Sequence, residues 1–574
     1  MRMITRVLAV VASAATLVSL TACASIPRSG TVQQGVALNQ ADTATVEFFP
    51  AGPAVDASQE QIVRGFIEAA TGPQNDYAVA RSYLAPEFQS KWDPNVSVTV
   101  DTGVREFAPV AGNTASMTIN SVAAVDSTGQ YSSASSPVSR TLNYSFAQVQ
   151  GQWRLTSAPA GVVIDRGIFE QVYTTHPLYF FEPSFRYLVP DVRWFARGAA
   201  TTTRMVKSLL AGPAAWLADG GAVISSFSAT SALVANAVPI IKNVAVVDLT
   251  SASAGADAST LQRMRQQLTA SLQGVNDVVS VDILIDGVPV SQGVSAYVDA
   301  VTPLQVDPRP FVVTEKTAGF ADGETISASP LAGALPPGAQ AVTLAPASLS
   351  AAVLSPAGVS VVRPATSAAV LDARPGLIAP SLDAFNFVWS VPANAPSQLT
   401  VFAVDGRSFP VAVPWGSATS IRTLKISHDG ARLLAVLETR TGTSATSTVT
   451  QSLVVAAIIR GENNTPARLG RLVTLTPASG TLVDAAWVDS TTVVSVASTG
   501  GGTAFVSSTV TTQVIGGKSQ NLVGFSQGTP TSIAGANTLS QVRIVLSDGR
   551  LLSLRNSTAW LSTTSGVQVL GTQQ

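Results

Sequence analysis

The hexapeptide Ser427-His428-Asp429-Gly430-Ala431-Arg432 directly precedes an apolar run, Leu433 to Leu437, and has the composition of a tight turn between two β-strands. The stretch Ser547-Asp548-Gly549-Arg550 contains the same Asp-Gly pair and lies within another apolar segment. From residue 311 to residue 574, short apolar runs alternate with turns of this kind, and helical periodicity is absent. The pattern predicts a C-terminal region built from β-strands.

The repeated turn also resembles the Ser-x-Asp-Gly turn in the blades of β-propellers. Candidate blades are spaced irregularly, about 40 to 60 residues apart, in a region about 260 residues long, which favours a β-propeller of five or six blades over residues 300–574. A pair of β-sandwiches is the alternative fold. Each Asp-Gly pair is interpreted as a turn former. Pro303, Pro308 and Pro310 mark the linker that precedes the region.

Residues 171–295 combine helical and strand patterns, which predicts a small α/β domain. One helical stripe, interpreted as core and not as a cofactor site, consists of Leu261, Met264, Leu268 and Leu272. Residues 279–285 alternate as a strand does and end at the hairpin signal Asp286-Gly287. Together with Leu-Leu-Ala-Gly-Pro at 209–213 and Val-Asp-Leu at 247–249, the closing Asp-Gly-Val-Pro-Val at 286–290 resembles the GerMN domain of envelope and sporulation lipoproteins.

Residues 55–170 read as helices followed by strands. Helices are predicted over Gln59–Ala70 and Asp76–Phe88, because apolar residues recur there at helical spacing. Strand patterns follow, and late among them is Gly151-Gln152-Trp153-Arg154-Leu155. Helices that lead into a curved antiparallel sheet look like an NTF2-like α+β cone, in which Trp153 is expected to belong to the core. The predicted fold class is therefore multidomain, α+β and all-β.

The first residues have the layout of a secretory signal: two arginines before residue 7, a short apolar segment, and then Leu20-Thr21-Ala22-Cys23. The apolar segment is shorter than the roughly 20 residues that a membrane-spanning helix needs. The tetrapeptide resembles a lipobox, in which the cysteine accepts a diacylglyceryl group on sulfur and an acyl group on nitrogen. We expect residues 1–22 to be a signal peptide and residues 23–54 to be a lipidated N-terminus and flexible tether, held in the lipid bilayer through the chain's single cysteine.

Composition excludes nucleic acid as a partner. Hydrophobic residues make up 46% of the 574 residues and charged residues 12%, and the formal net charge is −1. Loss of Arg2 and Arg6 with the signal peptide would change the net charge to −3. No run of like charges offers the clustered cations that phosphate binding requires.

Few residues are available for catalysis. The chain has two histidines, His176 in a linker-like stretch and His428 in a turn, and neither lies in a nucleophile context. With Cys23 acylated, neither a Cys–His pair nor a cysteine zinc site can form. We expect no catalytic residue, no cofactor and no metal, and hence no enzyme. The alternative is a cell-wall glycan binding protein or a hydrolase that uses two carboxylates.

The order of these segments, with the octet Cys23-Ala24-Ser25-Ile26-Pro27-Arg28-Ser29-Gly30, resembles the actinobacterial lipoprotein family LpqB. The resemblance covers essentially the full length. It implies a non-catalytic interaction protein on the extracytoplasmic face of the cell membrane. It further implies contact with the extracytoplasmic domain of the sensor kinase of the MtrAB two-component system, and a role in cell-wall growth and division.

Overall fold

A computed structural model describes residues 50–110, 112–290, 298–301, 305–345, 349–366, 368–442, 447–500 and 507–574. All of them belong to one compact unit, Phe48–Gln574. The predicted lipobox, Leu20 to Cys23, and the predicted signal peptide lie outside the described residues.

The N-terminal domain is a mixed α+β domain. Helix α1 begins at the cap Ser58, whose hydroxyl accepts a hydrogen bond from the backbone N–H of Gln61 at 3.3 Å, and it buries Ile62, Phe66 and Ile67. Strands β1 to β5 form one sheet in the order β4-β3-β2-β1-β5, in which β5 is parallel to β1. The elements are α1 (Gln59–Ala69), α2 (Ala78–Ser82), α3 (Pro86–Gln89), β1 (Ser97–Val110), β2 (Thr114–Asp126), β3 (Tyr131–Val149), β4 (Gln152–Ser157) and β5 (Val162–Asp165).

The helix predicted over Asp76–Phe88 is wrong as a single element. Asp76 and Tyr77 have left-handed backbone conformations, so a helix begins only after them, and Pro86 starts a separate one-turn helix. Trp153, expected in the core, is only partly buried and packs against the core from its margin, where its ring contacts Phe146 edge-on at 6.3 Å.

The middle domain has a four-stranded sheet and a separate two-stranded ribbon. The sheet order is β11-β10-β9-β8, with β10 parallel to β9, and β6 pairs only with β7. Of the predicted stripe, Met264, Leu268 and Leu272 are buried, which confirms them as core, and Leu261 is partly buried against the same cluster. The elements are α4 (Phe169–Val172), β6 (Tyr173–Phe181), β7 (Leu188–Ala196), α5 (Thr201–Leu210), α6 (Ala215–Ala218), β8 (Ile240–Ile241), β9 (Val244–Leu249), α7 (Ala258–Leu272), β10 (Ser280–Ile285) and β11 (Val288–Pro289).

The C-terminal domain is a β-propeller, and its described residues form six four-stranded blades. The last strand, β36, pairs with β12 and so completes the first blade. Blades one and two consist of β12 (Phe311–Thr314), β13 (Ala318–Asp322) and β14 (Thr325–Ala328) with β36 (Val567–Gln573), and of β15 (Ala341–Leu344), β16 (Ala351–Ser355), β17 (Gly358–Val362) and β18 (Ala369–Asp372). Blades three and four consist of β19 (Ser381–Leu382), β20 (Val388–Ser390), β21 (Thr400–Phe402) and β22 (Ser408–Pro410), and of β23 (Ser420–Ile426), β24 (Arg432–Thr441), β25 (Thr448–Arg460) and β26 (Pro466–Leu469), with a short extra strand β27 (Val473–Leu475). Blades five and six consist of β28 (Thr481–Trp487), β29 (Thr492–Thr499), β30 (Ser507–Val514) and β31 (Ser519–Asn521), and of β32 (Pro530–Ala534), β33 (Arg543–Leu546), β34 (Leu551–Arg555) and β35 (Ala559–Thr564).

The innermost strands close a ring. Taken in the order β36, β15, β19, β23, β28 and β32, each contacts the next, and β32 contacts β36 again. In such a ring the inner edges of the blades are short, surround the axis and are protected from pairing with other chains. The alternative of two β-sandwiches is therefore wrong, and the predicted count of five or six blades resolves to six.

Strand β7 joins the three domains. All nine of its residues are buried. Its Trp194 contacts the N-terminal domain on one side, where the Trp194 backbone N–H donates to the carbonyl of Gly129 at 2.8 Å. On the other side the indole N–H donates to the carbonyl of Gly516 in the propeller at 3.0 Å. We call the contact formed by Gly129, Trp194 and Gly516 the domain seam. The indole ring also packs on Tyr131 and Phe169, with ring centroids 5.5 and 4.8 Å apart.

Arg193, the residue before Trp194, adds polar contacts to the same seam. Its fully buried guanidinium pairs with Asp191 at 2.5 Å and donates to the carbonyl of Thr128 in the N-terminal domain at 2.9 Å. Asp191 in turn accepts the backbone N–H of Ala214 at 2.8 Å. Such further hydrogen bonds offset part of the cost of burying the ion pair, while the Nε atom of Arg193 has no partner among the described residues.

Two glycines permit the close approach at the seam. Gly129 and Gly516 have φ values of +85° and +81°. A Cβ atom added to Gly129 would lie 2.9 Å from the carbonyl oxygen of Trp194, and one added to Gly516 would lie 2.7 Å from that of Val192. Both distances are shorter than ordinary contact, so a side chain at either position would push β7 away.

Gly516→Ala should destabilise the protein more than Gly566→Ala does. Both glycines have positive φ, so each substitution has a backbone cost of about 1–2 kcal/mol. An added Cβ at Gly566 meets no atom within 4 Å, whereas at Gly516 it collides with β7, which should cost about 1–3 kcal/mol more. Differential scanning calorimetry of the two variants measures the difference, and equal melting temperatures would contradict the role given to Gly516.

Candidate binding cleft

A cleft of about 510 Å³ opens beside the seam, between the N-terminal and middle domains. One wall comes from the loops before α2 and β1 and from the turn between β2 and β3, and the opposite wall comes from α5. Tyr77, Tyr173 and Trp194 are among its lining residues, and each is less than a tenth exposed. A concave site at a domain boundary with aromatic and a few polar groups is a usual place for ligands to bind.

The loop before α2 holds a strained backbone at this cleft. Asn75, Asp76 and Tyr77 have consecutive φ values of +49°, +54° and +60°. For a bulky residue such as tyrosine this conformation is a genuine outlier, which the surroundings must enforce. The ring of Tyr77 is 2% exposed and packs edge-on against Trp92, with centroids 6.0 Å apart. Strain of this kind is concentrated at functional sites.

The two buried tyrosines of the lining remain neutral phenols. Burial raises the pKa of Tyr77, and burial together with the neighbouring Tyr77 hydroxyl raises the pKa of Tyr173 well above its usual value. Arg204 on α5 acts on both in the opposite direction, because its positive charge favours a phenolate. Neutral hydroxyls can donate or accept hydrogen bonds, so the lining is suited to binding.

The acidic groups of the cleft already have hydrogen-bond or ion-pair partners within the protein, whereas the basic groups have few. Asp76 pairs with Arg81 at 2.8 Å, Asp93 accepts the backbone N–H of Asn95 at 2.8 Å, and Asp126 accepts three bonds within its own turn. On the opposite wall, Arg204 donates to the carbonyl of Ala196 at 3.2 Å. Among the described residues neither Arg204 nor Lys207 has a carboxylate within 4 Å.

The residues singled out in the sequence lie elsewhere. Cys23, with Leu20, Thr21 and Ala22, falls outside the described residues. His176 lies within β6 and not in a linker, and His428 is buried in the turn between β23 and β24. Neither histidine lines the cleft.

Two features are absent from the described residues, a metal-binding cluster and a membrane-spanning helix. No group of three or more His, Cys, Asp or Glu side chains there is placed to hold a metal ion. In the same part of the chain, no helix combines the length and apolar character needed to cross a membrane.

Local sequence patterns carry only weak signals of the seam and of the strained loop. The run 188–196 looks like any buried strand except for Asp191 and Arg193, and two opposite charges within such a run are a signal of a buried ion pair. Asn75 and Asp76 tolerate left-handed conformations and were a sign that the helix begins later.

Three family models match the chain. The N-terminal domain of lipoprotein LpqB matches residues 52–170, a sporulation and spore germination domain called Germane matches residues 177–291, and the β-propeller domain of lipoprotein LpqB matches residues 321–569.

Relatives named lipoprotein LpqB include those of Cutibacterium acnes and Bifidobacterium longum. The first is 34% identical over 36% of this chain and 34% of its own length, and the second is 33% identical over 44% and 46%. The matched part is therefore less than half of each relative. Among solved structures, the tandem GerMN domains of the sporulation protein GerM from Bacillus subtilis share 17% identity, with a TM-score of 0.18, over 26% of this chain and 59% of that one.

The stability of the protein should fall as the pH drops below about 6.5, partly through His176. Burial and the nearby Arg197 lower the pKa of His176 from 6.5 to about 4, and its Nε2 atom has no hydrogen-bond partner among the described residues. Between these two pH values the unfolded chain binds a proton that the folded chain rejects, so folding is disfavoured. At pH 5 the loss should be on the order of 1–2 kcal/mol for this partly exposed group.

Replacement of His176 by Gln removes this titration. We expect His176→Gln to lose less stability between pH 7 and pH 5 than the unmodified chain, as measured by urea unfolding at each pH. Thr175→Gln, at an exposed position of the same strand, is the control and should keep the original pH dependence. The same pH dependence in His176→Gln would show that other groups cause it.

Proposed function

The chain belongs to the LpqB lipoprotein family, and from this premise we propose that it is anchored by acylated Cys23 to the outer face of the cell membrane, where it acts as a non-catalytic interaction partner. The partner we propose is the extracytoplasmic domain of the sensor kinase of the MtrAB system. Binding would modulate signalling for cell-wall growth and division.

The single observation that carries the proposal is the domain seam. Because Trp194 is hydrogen-bonded to Gly129 and Gly516 at once, the three domains hold fixed positions relative to one another. A partner can therefore contact more than one domain without a large entropic cost of ordering them. Fixed presentation of several surfaces is what a protein-binding scaffold requires.

An exposed strand edge supports the same proposal. Strand β4 pairs with β3 only from Ser145 onward, so the segment of β3 from Tyr131 to Asn143 has no strand on its outer side among the described residues. Its side chains are largely exposed. Such an edge can pair with an extended segment of another protein, while Pro137 and Arg140 discourage unselective pairing.

Cell-wall glycan is the second candidate ligand, since several carboxylates line the cleft. Titration with soluble peptidoglycan fragments distinguishes it from the first. Saturable binding that is lost in Tyr77→Ala, with no effect on kinase contact, would favour the glycan.

Cys23→Ser should release the protein from the membrane fraction. Two acyl chains on the cysteine provide lasting attachment, at about 0.8 kcal/mol for each buried CH₂ group, and serine cannot form the thioether. Fractionation of cells and immunoblotting measure the distribution, with Ser25→Ala as the matched control. A Cys23→Ser protein that stays in the membrane fraction would exclude lipid attachment as the anchor.

Site-specific photocrosslinking in intact cells tests the partner. A benzophenone amino acid at Ser135, Val279 or Val370 places one probe on each domain, and all three positions are exposed. We expect the position nearest the contact to yield an adduct with the sensor kinase, identified by mass spectrometry, and the remote positions to yield little. If Ser135 gives no kinase adduct, the proposed pairing of the exposed β3 edge with the kinase is wrong.

A further inference from the structure

The axis of the propeller is a channel of about 260 Å³. The lining comes from the innermost strands and includes the hydroxyl groups of Thr343, Thr423 and Thr572. Gln340, Arg422, Thr531 and Gln568 are exposed and mark the open mouth of the channel.

The other end of the axis is filled by a side chain. The amide of Gln574 accepts the backbone N–H of Leu382 at 2.9 Å and donates to the carbonyl of Ile426 at 2.9 Å, which links β19 to β23. The backbone N–H of Gln574 donates to the carbonyl of Leu344 on β15 at 3.2 Å. Three innermost strands are thus connected there, so a molecule in the channel enters from the mouth.

Lys425 lies deep in this channel. Its side chain is 6% exposed, and its ammonium donates to the hydroxyl of Thr572 at 2.8 Å. An ammonium has three donors, and the bond to Thr572 is the one hydrogen bond that the Lys425 ammonium forms among the described residues. Burial lowers the pKa of Lys425, while Asp484 acts in the opposite direction.

Asp484 does not neutralise Lys425 by direct contact. One carboxylate oxygen accepts the hydroxyl of Thr423 at 2.7 Å and the backbone N–H of Ala485 at 2.8 Å, and the other accepts the backbone N–H of Ile533 at 3.0 Å. Within the described part of the chain, no carboxylate oxygen lies within 4 Å of the Lys425 ammonium.

The other buried cations of the described residues contrast with Lys425. Arg193 pairs with Asp191, Arg432 with Asp429, and Arg460 with Asp383. An uncompensated buried charge is costly and is normally paired or discharged. A buried ammonium that faces a polar cavity without a counter-ion indicates that the counter-ion comes from a ligand.

We propose that the propeller channel binds a small anion through Lys425, with a carboxylate or phosphate group as the part recognised. The anion oxygens would accept hydrogen bonds from the free N–H donors of Lys425 and from the hydroxyl group of Thr572, which only accepts a hydrogen bond from Lys425 among the described residues. The volume fits a small organic acid or phosphate ester, since it is below the usual range for drug-sized ligands. The inference does not depend on the sensor-kinase proposal.

Isothermal titration calorimetry of the purified full chain with inorganic phosphate and, separately, with citrate tests the proposal. At least one of the two should bind saturably, and Lys425→Met should weaken that binding at least tenfold. Lys242→Met, which removes an exposed lysine of the middle domain, is the matched control and should leave the affinity unchanged. Which of the two anions binds more tightly distinguishes a carboxylate ligand from a phosphate ligand.

Folding of the variant is checked by its melting temperature. Because methionine has a similar length and removes an uncompensated charge, Lys425→Met should melt no lower than the unmodified chain. Lys425→Gln, which keeps a polar end, provides a second uncharged variant with the same expected loss of binding. The proposal is overturned if neither anion binds, or if the uncharged variants bind as tightly as the unmodified chain.

Discussion

The positions of the three domains depend on one buried strand, β7, which forms contacts with all of them. The indole of Trp194 hydrogen-bonds to the propeller, the backbone of the same residue hydrogen-bonds to the N-terminal domain, and the side chains of Val189 and Phe195 pack in the core of the middle domain. A strand in this position cannot leave any polar backbone group unpaired, because no water reaches it. The backbone partners of Trp194 must therefore come close to β7, and the glycines Gly129 and Gly516 allow this approach because they have no Cβ atom.

A second level of order comes from the way buried charges are compensated. In the turn that connects β23 to β24, Ser427 donates to Asp429 at 2.5 Å, and Asp429 pairs with Arg432, whose guanidinium also donates to the carbonyl of Ser490 at 2.7 Å. The turn thereby fixes one blade to the next. Lys425 lies on the strand that leads into this turn, yet no carboxylate pairs with it among the described residues. Arg432 is therefore a structural cation, whereas Lys425 is available to a ligand.

The sequence allowed the prediction of these blades because the turn motif has a local physical cause. Asp429 accepts the backbone N–H of Ala431 at 3.0 Å, and Asp548 accepts that of Arg550 at 3.1 Å, so the same short pattern marks the same turn wherever it occurs. The stripe Met264, Leu268 and Leu272 was predictable for a similar reason, since one helical face is buried in one domain.

What was not predictable depends on contacts between residues far apart in the chain. Trp194 and Gly516 are separated by more than three hundred residues, and no local pattern signals that they meet. Tyr77 fits a helical stripe by spacing, but its ring is held against Trp92 and its backbone takes a conformation that a helix excludes. The cleft and the channel were unpredictable for the same reason, because each is lined by several segments that are far apart in the chain.

The domain contacts also determine where the function can lie. Ala431 of the propeller packs into the hydrophobic core of the middle domain, and Tyr187 of the middle domain packs edge-on against Phe385 of the propeller at 5.7 Å. Removal of the propeller would therefore expose apolar core of the middle domain as well as the indole of Trp194, and a truncated chain would lose folded structure together with any binding surface. Loss of binding in such a truncation says nothing about which domain contacts the partner. Because of the seam, a membrane partner encounters the three domains as one assembly and not as separate domains. Single substitutions at exposed positions are therefore the changes that can locate the contact.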